Sequence, residues 1–207
     1  MKSRVLIAGA LIQLLIAAPS DAKAPVLSTN SNELVEYTRC EFTGGLTAIT
    51  VERAPDLPMD RPVDTGVGRK YVSVADGYRV ILEFPNTDPF VNLKIELSVK
   101  GRFSADKRIV LEGMKHLSDT SLGTLALERG MQHGVDMAAV NGTRLEGGVI
   151  GIYSFFDDES GIIATAYILN QLPERRAFRD LQQYRILRDR FAEDFTSCMS
   201  MLRRDHG

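Results

Sequence analysis

The stretch Gly147–Asn170 (GGVIGIYSFFDDESGIIATAYILN) decides the fold of this chain. Two runs rich in β-branched and aromatic residues flank the acidic segment Asp157-Asp158-Glu159-Ser160-Gly161. Such runs favour strands, and an acidic segment that ends in glycine favours a turn between them. The stretch therefore predicts the central hairpin of an antiparallel sheet. The two-residue period of a strand places Tyr153 and Phe155 on one face and Phe156 on the other.

The pair Asn141-Gly142, just before this stretch, is the strongest short hairpin signal in the sequence. It predicts that the central hairpin extends into a three-stranded meander over about residues 131–140, 144–156 and 161–169.

Further strands are predicted upstream of the meander. Val91–Val99 alternates apolar and polar residues, which predicts a strand with one buried face and one wet face. Arg69–Val74 and Tyr78–Phe84 are separated by Asp76-Gly77, which predicts a second hairpin. The prolines and glycines of Ala54–Gly68 predict a loop. The polar positions of the alternating strand are Asn92, Lys94, Glu96 and Ser98.

Two segments have helical periodicity. Ser104 fits an N-cap, and apolar residues at helical spacing predict a helix to about Leu117, with Gly113 as its weak point. Asp180 and Gln183 resemble a capping box, which predicts a long helix over about residues 181–203. Its apolar stripe consists of Leu181, Tyr184, Leu187, Phe191, Phe195, Cys198 and Leu202. The segment Glu33–Val51 is open to two interpretations, either two short strands around Gly44-Gly45 or a short helix over Asn32–Arg39.

The N-terminus predicts an export signal. Lys2 and Arg4 precede the apolar run Val5–Ala18, which suits a signal peptide and is short for a membrane span. Cleavage is expected after Ala22, with Ala24 as the alternative, so residues 1–22 are the signal peptide and 23–207 a single α+β domain. An uncleaved membrane anchor is the competing interpretation. No later apolar run has spanning length, so no membrane span is expected after signal removal.

The chain has two cysteines, Cys40 and Cys198, near the two ends of the expected mature protein. In an oxidising compartment an isolated pair predicts one disulfide. Two free buried thiols are the alternative. The net charge of −2 argues against a partner such as nucleic acid or an anionic membrane surface, which favours basic proteins.

Candidate chemical groups each have a structural alternative. The carboxylates of 157–159 could hold a hard cation, but acidic residues are also common in turns. His116 and His133, together with Asp136, lack metal-ligand spacing, and His206 is near the C-terminus. Arg175, Arg176 and Arg179 could bind an anion or pair with nearby acids. No catalytic, cofactor-binding or metal-ligating residue is therefore predicted, and no cofactor.

The elements together predict an α+β fold: one antiparallel β-sheet with two helices packed on one face and one disulfide. Their order loosely resembles the PsbP/Mog1-type α/β sandwich. The segment Gly148–Phe178 also resembles the C-terminal part of small exported proteins of uncharacterised function in Gram-negative bacteria. The resemblance implies a protein of the cell envelope with a non-catalytic, interaction-type role.

The leading hypothesis is thus a periplasmic or secreted binding or interaction protein without catalytic activity, whose partner is an envelope protein or a small ligand. The alternative is a small hydrolase-like enzyme with an acid or histidine site. A structural accessory subunit of an envelope complex is a third interpretation.

Overall fold

A computed structural model describes residues 31–53 and 59–205, which form an eight-stranded antiparallel sheet with two long helices. The strands are β1 (Thr47–Arg53), β2 (Met59–Asp64), β3 (Arg69–Glu83), β4 (Pro89–Ser98), β5 (Leu125–Gln132), β6 (Val135–Gly142), β7 (Val149–Asp157) and β8 (Ile162–Leu169). The helices are α1 (Ser31–Leu34), followed by a 3₁₀ turn (Val35–Arg39), α2 (Phe103–Thr120) and α3 (Leu181–Asp205). The strand order is β1-β3-β4-β8-β7-β6-β5, and β2 pairs with β3. Within these described residues, no helix is long and apolar enough to cross a membrane.

The hairpin predicted at Asp76-Gly77 is wrong, because β3 runs straight through this pair. Asp76 and Gly77 stay in register with Leu97 and Glu96 of β4, after a bulge. The Asp76 carboxylate is buried and accepts two hydrogen bonds from the Arg53 guanidinium, at 3.1 and 2.8 Å. A partner on a neighbouring strand therefore holds this aspartate in the sheet, where a turn residue would face solvent.

The loop predicted over Ala54–Gly68 is also partly wrong, since it contains β2; residues 54–58 lie outside the described chain. The first half of β3 pairs with β2 and the second half with β1. Both short strands thus share one edge of the sheet. Pro62, opposite Tyr71, is compatible with this position because an edge strand can lack one donor.

The predicted meander is confirmed as β6, β7 and β8, with the acidic segment as the β7–β8 turn. The turn predicted at Asn141-Gly142 is wrong. Both residues belong to β6, and Asn141 pairs with β5 on one side and β7 on the other. The connection from β6 to β7 lies after this pair, over residues 143–148, and a separate tight turn at His133-Gly134, where φ is 50° and 77°, joins β5 to β6. Two successive positive φ values are the requirement of a type I′ hairpin, and glycine meets it easily.

Helix α2 begins at Phe103, and its N-cap is Arg102, without a side-chain cap, where Ser104 was predicted. The helix also extends beyond the expected end at Leu117. Gly113 has a packing role, because a Cβ atom at this position would clash with Val63 Cγ1 of β2. The glycine therefore permits the close approach of α2 to β2.

Helix α3 matches its prediction closely. The Asp180 Oδ1 atom accepts a hydrogen bond from the backbone N–H of Gln183 at 2.9 Å, as an N-cap side chain does. The predicted stripe packs in the core, with Tyr184, Phe191 and Phe195 fully buried.

The α+β class and the antiparallel sheet are confirmed, but the two long helices lie on opposite faces, where the sequence predicted one face. Ala138 of β6 and Phe156 of β7 pack with α2, whereas their chain neighbours Ala139 and Phe155 pack with α3. Because successive strand residues point to opposite faces, the sheet is covered from both sides. The division of Tyr153 and Phe155 from Phe156 is thereby confirmed as well.

The Cys40–Cys198 disulfide is confirmed, with the two Cα atoms 5.7 Å apart. Of the two interpretations of Glu33–Val51, the helical one holds for the first part, where α1 and the 3₁₀ turn lead to Cys40. The strand interpretation holds after Gly44-Gly45, as β1. The bond joins the N-terminal helical segment to the last turns of α3.

Candidate functional site

The α2 face of the sheet contains two adjoining hollows, which we call together the α2-face groove. The first hollow has a volume of about 410 Å³ and is lined by residues of β1 to β4. The second, of about 340 Å³, lies between β2, α2 and the strands β7 and β8. Both hollows are lined by Arg61 and Pro62, so β2 forms the ridge between them.

A nearly buried ion pair holds this ridge in place. The Arg61 guanidinium reaches across β3 to the Glu96 carboxylate on β4, with contacts of 2.8 and 2.9 Å. The two side chains are 15% and 12% exposed, and such a two-pronged contact has a defined geometry. Burial also raises the pKa of the neighbouring Tyr167 hydroxyl, which senses the charges of this pair. The charge of Arg61 is therefore neutralised by Glu96, and the ion pair fixes the position of β2 between the two hollows.

Two further cations in the first hollow are not neutralised in this way. Arg79 of β3 and Lys94 of β4 are register partners, so their side chains point to the same face. Arg79 donates a hydrogen bond to Asn92 Oδ1 at 3.2 Å, and the Lys94 ammonium lies 5.8 Å from the centre of the Tyr167 ring. Within residues 31–53 and 59–205, neither cation forms an ion pair with a carboxylate, although Glu52 is the register partner of Arg79 on its other side.

Like charges placed directly opposite each other on neighbouring strands are destabilising. The contact between Arg79 and Lys94 is therefore unfavourable by itself, and Glu52 on the other side of Arg79 offsets part of this repulsion. An anion placed between the two side chains would remove this repulsion.

The second hollow has apolar walls and a small polar floor. Val110 and Met114 of α2 form part of the wall, and Ser154 and Thr165 of the central hairpin contribute hydroxyl groups to the floor. These two hydroxyl oxygens are 3.5 Å apart. His116, on the predicted helix, also lines this hollow, and its Nε2 atom is 3.9 Å from Asp64 Oδ1.

The acidic turn Asp157–Glu159 has tertiary partners of its own, and they anchor both helices. Asp157 is fully buried and contacts Arg203 Nε of α3 at 3.2 Å. It also accepts a hydrogen bond from the Tyr37 hydroxyl at 3.3 Å, and burial raises the pKa of Tyr37 to about 12. Asp158 contacts Lys107 Nζ of α2 at 2.8 Å.

Local hydrogen bonds of Asp157 support the turn interpretation of these carboxylates. Asp157 Oδ1 accepts hydrogen bonds from the amides of Glu159 and Ser160, which closes the turn locally. No group of three or more potential metal ligands occurs among the residues that the structure describes.

The other candidates from the sequence are not brought together. His133 lies at the β5–β6 turn, 2.7 Å from Glu193 Oε1 of α3, while Asp136 contacts Lys107 of α2 at 3.1 Å. The side chains of His133 and Asp136 thus contact helices on opposite faces of the sheet. His206 lies outside the described residues. Arg175 pairs with Asp88 at 3.0 Å, whereas Arg176 and Arg179 line a separate hollow beside α3.

The groove residues were not singled out as a site from the sequence. The alternation of Val91–Val99 did predict that Lys94 and Glu96 share a polar face, and this is confirmed. The prediction that this face is wet is wrong for Glu96 and Ser98, which are buried. Arg61 had no such signal, because it falls in the segment predicted to be a loop. Its meeting with Glu96 depends on strand pairing between segments distant in sequence.

The chain matches no protein-family model, no curated protein and no solved structure to which it was compared. The fold and the groove therefore define its class only as a disulfide-bonded α+β protein with a groove of apolar walls and a few charged groups on one face of its sheet. The resemblance to the PsbP/Mog1-type sandwich and to small exported proteins stays a prediction.

Proposed function

We propose that this protein is an exported, non-catalytic binding module of the cell envelope. The α2-face groove is its binding site, and the ligand is a small molecule with an apolar body and one anionic group. The observation that carries the proposal is the opposed pair Arg79 and Lys94. Neither forms an ion pair within the described chain, although Glu52 and Asp60 also line the hollow.

The rest of the groove supports this assignment. The charges of Arg53 and Arg61 are satisfied by Asp76 and Glu96, so they shape the hollow without attracting an anion. Binding sites for small molecules commonly combine apolar walls with a few placed polar groups. The groove has both, and Tyr167 is part of the lining of the second hollow.

We expect the fluorescent probe 8-anilinonaphthalene-1-sulfonate, which has an aromatic body and one sulfonate, to bind in this groove. The double variant Arg79→Gln/Lys94→Gln should bind it about tenfold more weakly or worse, because a hydrogen bond to a charged group contributes roughly 1.5–3 kcal/mol. Fluorescence titration of folded protein measures this change.

Lys100→Gln is the matched control, because Lys100 is an exposed lysine just after β4 and does not line the groove. It should leave the affinity unchanged. The double variant should also be at least as resistant to urea as the native protein, because it removes two like charges. Equal affinity of the double variant and the native protein would show that the groove is not the site.

Export is a separate part of the proposal, resting on the basic start and apolar run of residues 1–22. Mass spectrometry of the protein from the periplasm of a bacterial host should find Lys23 as its first residue. A first residue at Met1 would contradict cleavage, and Pro25 would select the alternative site after Ala24.

The alternative, a small hydrolase-like enzyme, has one observation in its favour: His116 and Asp64 lie together beside the second hollow. The His116 imidazole, however, makes no hydrogen bond to a hydroxyl group of the residues that the structure describes. Hydrolysis of a chromogenic ester that disappears in His116→Ala would decide for the enzyme.

A further inference from the structure

A hollow on the other side of the molecule combines three arginines. It lies between the segment that leads into α3 and one side of α3 itself, with a volume of about 540 Å³. The helix contributes Gln183, Ile186, Leu187 and Arg190, whose spacing of three and four residues places them on one side of the helix. The preceding segment contributes Arg176, Ala177 and Arg179.

Two of the three guanidinium groups are positioned by other parts of the fold. Arg176 lies over the Phe178 ring, 5.2 Å from its centre, and donates a hydrogen bond from Nε to the Gln171 carbonyl at 3.1 Å. Arg190 lies against Gly44, where φ is 70° and a Cβ would come within 2.5 Å of Arg190 Nη1. Arg179 is exposed, and its backbone amide donates to Gln183 Oε1 at 2.8 Å.

The acidic residues of this region are engaged elsewhere or lie outside the hollow. Asp180 caps α3, and Asp194 accepts hydrogen bonds from the Thr43 amide and hydroxyl at 2.7 and 2.9 Å. Glu174 is exposed and is not part of the lining. Among residues 31–53 and 59–205, no carboxylate lines the hollow or forms an ion pair with Arg176, Arg179 or Arg190.

We propose that Arg176, Arg179 and Arg190 form a binding site for a phosphate monoester. Guanidinium groups match the oxygens of phosphate with paired, charge-assisted hydrogen bonds. A group with close to two negative charges offsets the repulsion among three cations better than a carboxylate does. The ester is carried either by a soluble molecule or by a lipid headgroup, beside which the half-exposed Ile186 would contact the acyl region.

Two probes carry a phosphate monoester and distinguish a soluble ligand from a lipid headgroup. Glycerol 3-phosphate, titrated by calorimetry, tests the soluble ester. Vesicles of phosphatidylcholine with phosphatidic acid, against vesicles of phosphatidylcholine alone, test the headgroup by co-sedimentation. The protein used is the oxidised mature chain.

The variant Arg179→Gln/Arg190→Gln should bind the effective probe about tenfold more weakly or worse. Arg185→Gln is the control: Arg185 is an exposed arginine of α3, two residues from Gln183 and Leu187, and so points to another side of the helix. Arg185→Gln removes one positive charge, as each arginine change of the double variant does. Because salt screens distant charges, Arg185→Gln should keep the native affinity within about twofold.

Binding of glycerol 3-phosphate that the double variant loses supports a soluble ester, and binding confined to phosphatidic acid vesicles supports a lipid headgroup. The proposal is overturned if neither probe binds. It is also overturned if the double variant keeps its affinity, or if Arg185→Gln loses as much as the double variant does. Circular dichroism and thermal unfolding verify that each variant is folded.

Discussion

Removal of the Cys40–Cys198 disulfide is expected to lower the free energy of unfolding by up to about 5 kcal/mol. The two residues are 158 positions apart, so the closed loop contains most of the domain. In the chain-entropy model, the unfolded chain gains more freedom from opening a longer loop. The double variant Cys40→Ala/Cys198→Ala, compared with the oxidised protein by urea unfolding, measures the difference.

Addition of reductant to the double variant is the control and should change nothing further. The oxidised protein, in contrast, should shift towards the stability of the double variant when reduced. A difference below about 1 kcal/mol between the oxidised protein and the double variant would contradict the expectation, since native disulfides typically contribute 2–5 kcal/mol.

Replacement of Phe191 by alanine is expected to lower the free energy of unfolding by about 3–5 kcal/mol. The Phe191 ring is 1% exposed and lies between α3 and the sheet. Its centre is 5.5 Å from that of Phe42, 6.2 Å from that of Phe155 and 6.0 Å from that of Phe195. Truncation therefore leaves a cavity whose rigid aromatic walls cannot close easily.

Met201→Ala on the same helix is a suitable comparison, because Met201 is half-exposed and alanine keeps the helical preference. It should change the free energy of unfolding by no more than about 0.5 kcal/mol. A loss below about 1 kcal/mol for Phe191→Ala would mean that the stripe of α3 is not core.

The parts of the fold that were predicted well are those in which local pattern and burial agree. The stripe of α3 recurs every three or four residues, and Asp180 caps its start, so the helix could be located from the sequence. The central hairpin was equally clear, because β-forming runs flank an acidic turn.

Predictions failed where a distant partner changed the role of a local signal. Asp76-Gly77 is a turn signal in isolation, but Arg53 on a neighbouring strand holds Asp76 inside the sheet. Asn141-Gly142 lies within β6, where Asn141 pairs with strands on both sides, and the connection to β7 forms only afterwards, over residues 143–148. The side of the sheet on which a helix packs is likewise not encoded in the helix's own pattern.

In the two candidate sites, too, local patterns were predicted from the sequence and contacts between distant segments were not. The sequence indicated that Lys94 and Glu96 share a polar face and that Arg176 and Arg179 are neighbours. It did not indicate that Arg79 would lie opposite Lys94, or that Arg190 would complete the second cluster. Charged side chains carry no local preference for a particular distant partner, so their neighbours are set by strand register and helix packing.

The sequence by itself thus determined the α+β class, the cysteine pair, the central hairpin and the apolar stripe of the last helix. Each of these follows from short-range periodicity or from the small number of ways to pair two cysteines. Only the tertiary structure decided which partners the acidic turn takes. Asp157 binds Arg203 of one helix and Asp158 binds Lys107 of the other, on opposite faces of the sheet. Adjacent residues at a strand end point in opposite directions, so the hairpin that organises the sheet also fastens both of its covering helices.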